Sequence, residues 1–290
     1  MHFRKWSKKH SYIAVWFLAP SVIGFSVFYL IPFVMGVYYS FTNGASGGSF
    51  VGFANYQDLL ASDSFRKAAL NTALFTSVSV PITVVISLFI ALLLNQNIYF
   101  RNWLRTAYVL PLVVPVASVV LIWQILFDWN GALNSWLSGF DLERIDWMKS
   151  EWARVVLSVV YAWKNVGYNV ILFLAGLQGI PKDYYETAEI EGAGAYHQFT
   201  RITLVYLTPT TFFIALMALV SSFRIFRETY LIASDYPHDS IYMLQHYMNN
   251  MFLSLDIQKL TSAATLMVAC MVIIVSVMFT LERRLASFME

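Results

Sequence analysis

In the stretch YAWKNVGYN, Lys164, Asn165, Tyr168 and Asn169 interrupt an otherwise apolar run. An ionisable group inside an apolar helix is costly to bury, so by default it points to a function. Asn165, Tyr168 and Asn169 stand at i, i+3 and i+4, which on a helix gathers two amides and a phenol on one face suited to sugar hydroxyls. Ser221, Ser222 and Arg224 in SSFRIFRETY offer a similar set from a second apolar run, followed by Arg227 and Glu228. The same groups could instead make interhelical hydrogen bonds, worth ~0.6 kcal/mol each, that only hold a bundle together. For Lys164 two readings stay open, snorkelling to an interface or pairing with a carboxylate of a partner subunit.

A second chemical feature is the polar stretch YYETAEIEGAGAYHQFTRITLVYLTP, residues 184–209, which reads as two short helices around a glycine. On the first, Lys182 and Glu186 at i,i+4 can pair, while Asp183, Glu186 and Glu189 form an acidic line. Ala188, Gly192 and Ala195 make a small-residue stripe. On the second, Tyr196, Phe199 and Thr203 share one side, and His197, Gln198 and Arg201 the other. Gly192, with Gly194 behind it, lets the backbone turn without the steric cost of a Cβ. The result is a helical knob that a partner could grip.

The elements that must position these groups follow from composition. Charged residues make up 12% of the 290-residue chain, about half the share of a soluble globule, and hydrophobic residues 58%, so the chain is read as an integral membrane protein. Apolar runs of about 20 residues give six expected spans at 12–39, 68–94, 106–127, 155–177, 204–223 and 263–281. The first is too long for a cleaved signal and is expected to remain, with a kink or interfacial end at Pro20, Gly24 and Pro32. Pro81, Pro111 and Pro115 fall in the second and third, where neighbouring helices can satisfy the freed carbonyls. Placing the N-terminus in the cytoplasm puts Arg4, Lys5, Lys8, Lys9, Arg101, Arg105, Lys182, Arg201, Arg283 and Arg284 inside, in short segments. Both termini and the loop around Glu186 are then expected on the cytoplasmic side.

On the opposite side, FTNGASGGSF reads as a flexible turn. Trp129, Trp136, Trp147 and Trp152 fit an interfacial aromatic belt better than an entrance for sugar. The net charge of +2 gives no reason to expect a nucleic-acid partner. Cys270, the one cysteine, lies in an apolar run and is expected to pack there; His238 and His246 lack neighbours at ligand spacing, so no metal site is expected. The sequence contains no G-x-x-x-x-G-K-[ST], H-E-x-x-H or G-x-S-x-G, which argues against a P-loop ATPase, a zinc protease or a serine hydrolase. An ion-driven secondary transporter is the alternative class, but it calls for internal repeats that the sequence does not display.

At Glu186, Ala188, Gly192, Ile202 and Leu204 the loop resembles the permease subunits of binding-protein-dependent ABC importers, most closely the maltose and multiple-sugar branch. That family's pattern is Glu-Ala-Ala, three residues, Gly, nine residues, then Ile-x-Leu-Pro. Here Thr187 replaces the second Ala and Val205 replaces the Pro, leaving Pro209 to break the next span. The resemblance implies an all-α, polytopic type I importer domain, with residues 68–282 as its core, 1–67 leading in and 283–290 as a tail. It implies coupling to an ATPase through the loop at 181–204, on Glu186, Thr187, Ala188, Glu191, Gly192, Ala193, Ile202 and Leu204. It places the substrate path on Asn165, Tyr168, Asn169, Ser221, Ser222, Arg224 and Ile225. This chain would bind no cofactor, with ATP and Mg on the partner. The implied partners are a second, similar permease, two nucleotide-binding subunits, an extracytoplasmic binding protein, the bilayer and a carbohydrate. The implied location is a bacterial or archaeal cytoplasmic membrane.

Overall fold

The computed structural model describes residues 15–44, 47–96, 101–233, 235 and 237–287, so the expected basic cluster Arg4, Lys5, Lys8 and Lys9 lies outside the described residues. Among these residues the fold is all-α apart from an isolated antiparallel bridge between Thr42 and Phe50. Among the described residues six helices are long and apolar enough to cross a membrane: Val15–Tyr39, Asp63–Asn95, Val116–Ser138, Trp152–Gln178, Ala195–Ala233 and Ile257–Arg284. The chain divides into two compact units, Met1–Ser62 with Met251–Ala269, and Asp63–Asn250 with Cys270–Glu290.

In the first unit, helix α1 (Val15–Tyr39) carries a π-turn at Ser26–Leu30, directly ahead of Pro32 in the first turn of the regular segment that follows. The expected kink therefore takes the form of a widened turn, which re-phases the hydrogen bonds around a residue that has no N–H. Beyond it, the flanks of the glycine-rich turn are pinned by helix α2 (Ala54–Ala61). Asn55 Nδ2 donates to the carbonyls of Ser40 and Thr42, both at 2.9 Å, and the Ser40 and Tyr56 hydroxyls share a 2.7 Å hydrogen bond.

The second unit is built on helices α3 (Asp63–Asn95) and α7 (Trp152–Gln178), with α4 (Arg101–Val113), α5 (Val116–Phe127) and α6 (Ala132–Ser138) between them. Ser79, Thr83, Ser87 and Ala91 recur every four residues on α3 and are all buried, a small-residue stripe that lets a neighbouring backbone approach. Thr83 and Ser87 satisfy their hydroxyls on the carbonyls four residues back, and Ser79 donates to Ser158 of α7 at 3.0 Å. Ala91, Leu94, Val170, Phe173 and Leu177 close one core, while Phe75, Leu157 and Tyr161 close a second. Between α5 and α7, Asn134 is fully buried as the hub of the loop. Its Nδ2 donates to the carbonyls of Asp128, Trp129 and Ile145, and its Oδ1 accepts from Ile145 N and Trp147 Nε1.

Two expected spans differ from what folds. The third, expected as one run over 106–127, is split into α4 and α5, with Pro115 extended at the junction (φ −56°, ψ 138°). Pro115 disfavours a helical conformation at Val114, whereas Pro111 is carried inside α4. The fifth, expected to end at Phe223, continues past a break at Arg224 and Ile225 into a further helix, Phe226–Ala233. Cys270, expected to pack within its apolar run, stands exposed on the helix Ile257–Ser287.

Candidate functional site

The polar loop folds as two helices around Gly192, α8 (Lys182–Ile190) and α9 (Ala195–Gln198). Pro181 and the buried Ile180 end the preceding span and start α8, and Asp183 in the first turn complements the helix dipole. At the other end Gly192 adopts φ +80°. Its N–H donates to the Glu189 carbonyl at 3.0 Å, and the Ala193 N–H to the Ala188 carbonyl at 2.8 Å, the paired bonds of a Schellman cap. That is the physical need for glycine at this point of the motif. The stripe of Ala188, Gly192 and Ala195 is not one helix face, since α8 ends at Ile190. Lys182 and Glu186 are not among the ion pairs of the described residues, and both side chains stand exposed.

From α9 the chain passes through a π-turn, Phe199–Thr203, into α10 (Leu204–Phe223). Pro209 lies inside α10 and does not break it, so the expected stop there does not form. The extra residue in the turn sends Tyr196 out to 82% exposure while Thr203 is buried, so the two do not share a side as simple helical spacing predicts. Tyr185 and Ile202 pack on the core containing Leu177, Ile180 and Leu207, and the Tyr185 and Thr203 hydroxyls share a 2.9 Å hydrogen bond. Both roots of the knob are thereby fixed. Its tip presents Glu186, Thr187, Glu191 and Gly192, together with Ile190 at 87% exposure. Ala188 and Ala193, Ile202 and Leu204 are half-buried behind it.

The groups in the spans are gathered around the break after α10, where helix α11 (Phe226–Ala233) begins. Glu228 of α11 is buried and forms an ion pair with Lys164 of α7, whose side chain is 27% exposed. Lys164 is thus paired within its own chain. Sequence reasoning missed Glu228 as its mate, although the two are opposite charges in adjacent apolar runs. Tyr161 donates to the Ala218 carbonyl at 2.6 Å, the Thr76 and Ser222 hydroxyls share a bond at 3.0 Å, and Gln124 Nε2 reaches the Leu231 carbonyl at 3.2 Å. These contacts hold both sides of the break, and Thr72, Ser222, Ile225 and Phe226 line a cavity of about 10 Å³, room for one water.

The face of α7 drawn from sequence divides. Asn169 is buried with no partner for its Nδ2 among the described residues, while Asn165 and Tyr168 are half-exposed and Asn165 donates to the Tyr161 carbonyl at 2.8 Å. Ser222 and Ile225 are buried, Ser221 is half-buried and Arg224 is exposed. Of the four tryptophans, Trp147 is tied into the loop by Asn134, whereas Trp129, Trp136 and Trp152 are about half exposed or more.

Residues 60–289 match the family described as the binding-protein-dependent transport system inner membrane component. Among similar proteins, the arabinooligosaccharides transport system permease protein AraP of Bacillus subtilis is 33% identical over 74% of this chain and 70% of its own length. The sulfoquinovosyl glycerol transport system permease protein SmoG of Agrobacterium fabrum is 29% identical over 93% and 90%. The lactose transport system permease protein LacF of Rhizobium radiobacter is 29% identical over 81% of each. In fold, the chain is similar to a chain of a bacterial ABC transporter that imports the acidic polysaccharide alginate, with a TM-score of 0.84 at 23% identity over 97% of this chain and 99% of that one. A helical chain with six membrane-length helices and a motif loop whose glycine caps a helix thus belongs to the family of inner membrane components of binding-protein-dependent transport systems.

Proposed function

We propose that this chain is one permease half of an ATP-driven importer that carries an oligosaccharide across the cytoplasmic membrane by alternating access. A second, similar permease, two nucleotide-binding subunits and an extracytoplasmic binding protein complete the machine. The observation that carries this reading is the rigidly rooted knob, which holds Ile190 and Glu186 out of the protein on a capped helix. An isoleucine this exposed beside four acids, Asp183, Glu186, Glu189 and Glu191, suits a cleft on a partner protein rather than lipid. Docked there, Glu186, Thr187, Ala188, Glu191, Gly192 and Ala193 take up the motion of the ATPase, and Ile202 and Leu204 pass it into α10. The loop then faces the cytoplasm, as do both termini. ATP and Mg stay on the partner, and only contacts that differ between the two conformations can transmit its work.

The names of the relatives support a carbohydrate cargo, since three of those above transport arabino-oligosaccharides, lactose or a sulfoquinovosyl glycoside. Asn165 and Tyr168 on α7, with Ser221 and Arg224 at the end of α10, form the open part of the path, and Asn169, Ser222 and Ile225 support it from behind. Co-expression of the complete transporter with Glu186→Lys tests the coupling role. The variant is expected in the membrane in normal amount, with the ATPase no longer co-purifying and arabinotriose uptake into proteoliposomes lost. Normal co-purification and uptake would remove the loop from that role.

A further inference from the structure

The pairing of Lys164 with Glu228 leaves a question the coupling loop does not answer, namely why a lysine is kept halfway along a membrane helix only to be neutralised. Glu228 is buried at 3% side-chain exposure, and a carboxylate so enclosed is costly unless an opposite charge compensates it. Lys164 is not similarly enclosed. It lies on the half-open strip of α7 that also carries Asn165 and Tyr168, one helical turn away from the phenol. A lone ammonium there would dominate the local field, which acts strongly where water is scarce. Glu228 reaches that ammonium from α11, the short helix that starts after the break at Arg224 and Ile225 and is held at its far end by Gln124. The carboxylate is therefore held in place by packing, independently of any solute.

We propose that Glu228 sets the charge selectivity of the solute path by cancelling Lys164, so that the hydroxyl-binding face of α7 takes uncharged oligosaccharides and gains nothing from a carboxylated one. The inference deepens the reading of the chain as a sugar permease and rests on it. With the pair intact, Asn165 and Tyr168 offer neutral hydrogen bonds on a face of α7 that itself carries no net charge, and Arg224 at the end of α10 is the same in wild type and variants. With the carboxylate removed, Lys164 becomes a free cation next to the same groups and recruits uronates.

The complete transporter in proteoliposomes is assayed for uptake of arabinotriose, maltotriose and lactose, with trigalacturonate as both substrate and competitor. The wild type is expected to take up a neutral sugar with little inhibition by trigalacturonate. Glu228→Gln is expected to strengthen trigalacturonate competition about tenfold, the size of effect a partly screened single charge supplies. Adding Lys164→Met to that variant is expected to abolish the gain, which a purely structural role for the pair would not do. Neutral uptake in the wild type with no gain in Glu228→Gln overturns the inference and leaves the sugar reading standing. A wild type that prefers trigalacturonate does the same. Failure of every sugar to enter overturns both. If Glu228→Gln does not assemble, the exchanged pair Lys164→Glu with Glu228→Lys decides. It must stay indifferent to trigalacturonate, and a gain there overturns charge cancellation.

Discussion

Gly192 shows how much a single position in the loop carries. Its φ of +80° is forced by the cap that closes α8, and a Cβ built on it would meet nothing within 4 Å, so the constraint is conformational and not steric crowding by neighbours. Gly192→Val is expected to cost about 1–2 kcal/mol through the left-handed backbone alone and to loosen the tip. Gly192→Asn should lose much less, because asparagine tolerates that region. ATPase co-purification ranked Gly, Asn, Val checks it, and equal losses in both variants would mean that something other than the backbone is at work. His246, weighed in the sequence only as a metal ligand, has an environment that the sequence does not show. It is fully buried, edge-on to Phe226 at 4.8 Å, with neither ring nitrogen hydrogen-bonded among the described residues. Burial pushes its pKa down from the ordinary 6.5 to about 4, against the opposing pull of Asp235. The folded state therefore refuses a proton that the unfolded chain accepts below pH 6.5. Stability is unaffected above that value and falls as the pH drops from there towards 4, by about 3 kcal/mol in all. Thermal melting in detergent should show this acid limb in the wild type and a flatter one in His246→Phe; identical limbs would clear His246.

Among the elements, the closest approach to be tested is between α7 and α10. A Cβ added at Gly176 would stand 2.8 Å from Thr210 Oγ1 and 2.9 Å from Leu207 Cδ2, and Leu207 is fully buried and has nowhere to move. Gly176→Val is expected to destabilise the chain by about 1–3 kcal/mol by wedging the two helices apart, with Gly176→Ala milder. A lowered melting midpoint in that order checks it, and an unchanged midpoint for Val would show that the helices can part freely. The helices themselves were legible in sequence because apolar runs of membrane length leave few alternatives. The places where the reading failed are local. Pro115 splits a span because it acts on the residue before it, while Pro111, Pro81 and Pro209 stay inside helices, and composition does not distinguish them. The break at Arg224 and Ile225 has neither Pro nor Gly to announce it; its stability comes from partners on other helices, Thr76 and Lys164 among them.

At the scale of the whole molecule, the proposed coupling loop and the proposed solute path lie on different parts of one continuous stretch, from α8 through the π-turn and α10 to the break before α11. They should therefore fail separately. Tyr168→Ala is expected to reduce sugar uptake several-fold while the ATPase still co-purifies, the reverse of losing the knob. Unchanged uptake would take Tyr168 out of the path. In the motif loop the two helices and the turning glycine were readable because each meets a local need, whereas the pair of Lys182 and Glu186, the small-residue stripe and the shared side of Tyr196 and Thr203 were not borne out. The proposed substrate face was only partly readable, since helical spacing placed Asn169 beside Asn165 and Tyr168 but could not say that it turns into the core. The π-turn at Phe199–Thr203 adds a consequence of its own. One residue is worth about 100° of helical rotation, so this surplus turn clocks the knob against the shaft below it, as a keyway fixes a gear. Shortening the stretch by a single residue would leave every side chain of the handle intact and aim it at the wrong quadrant.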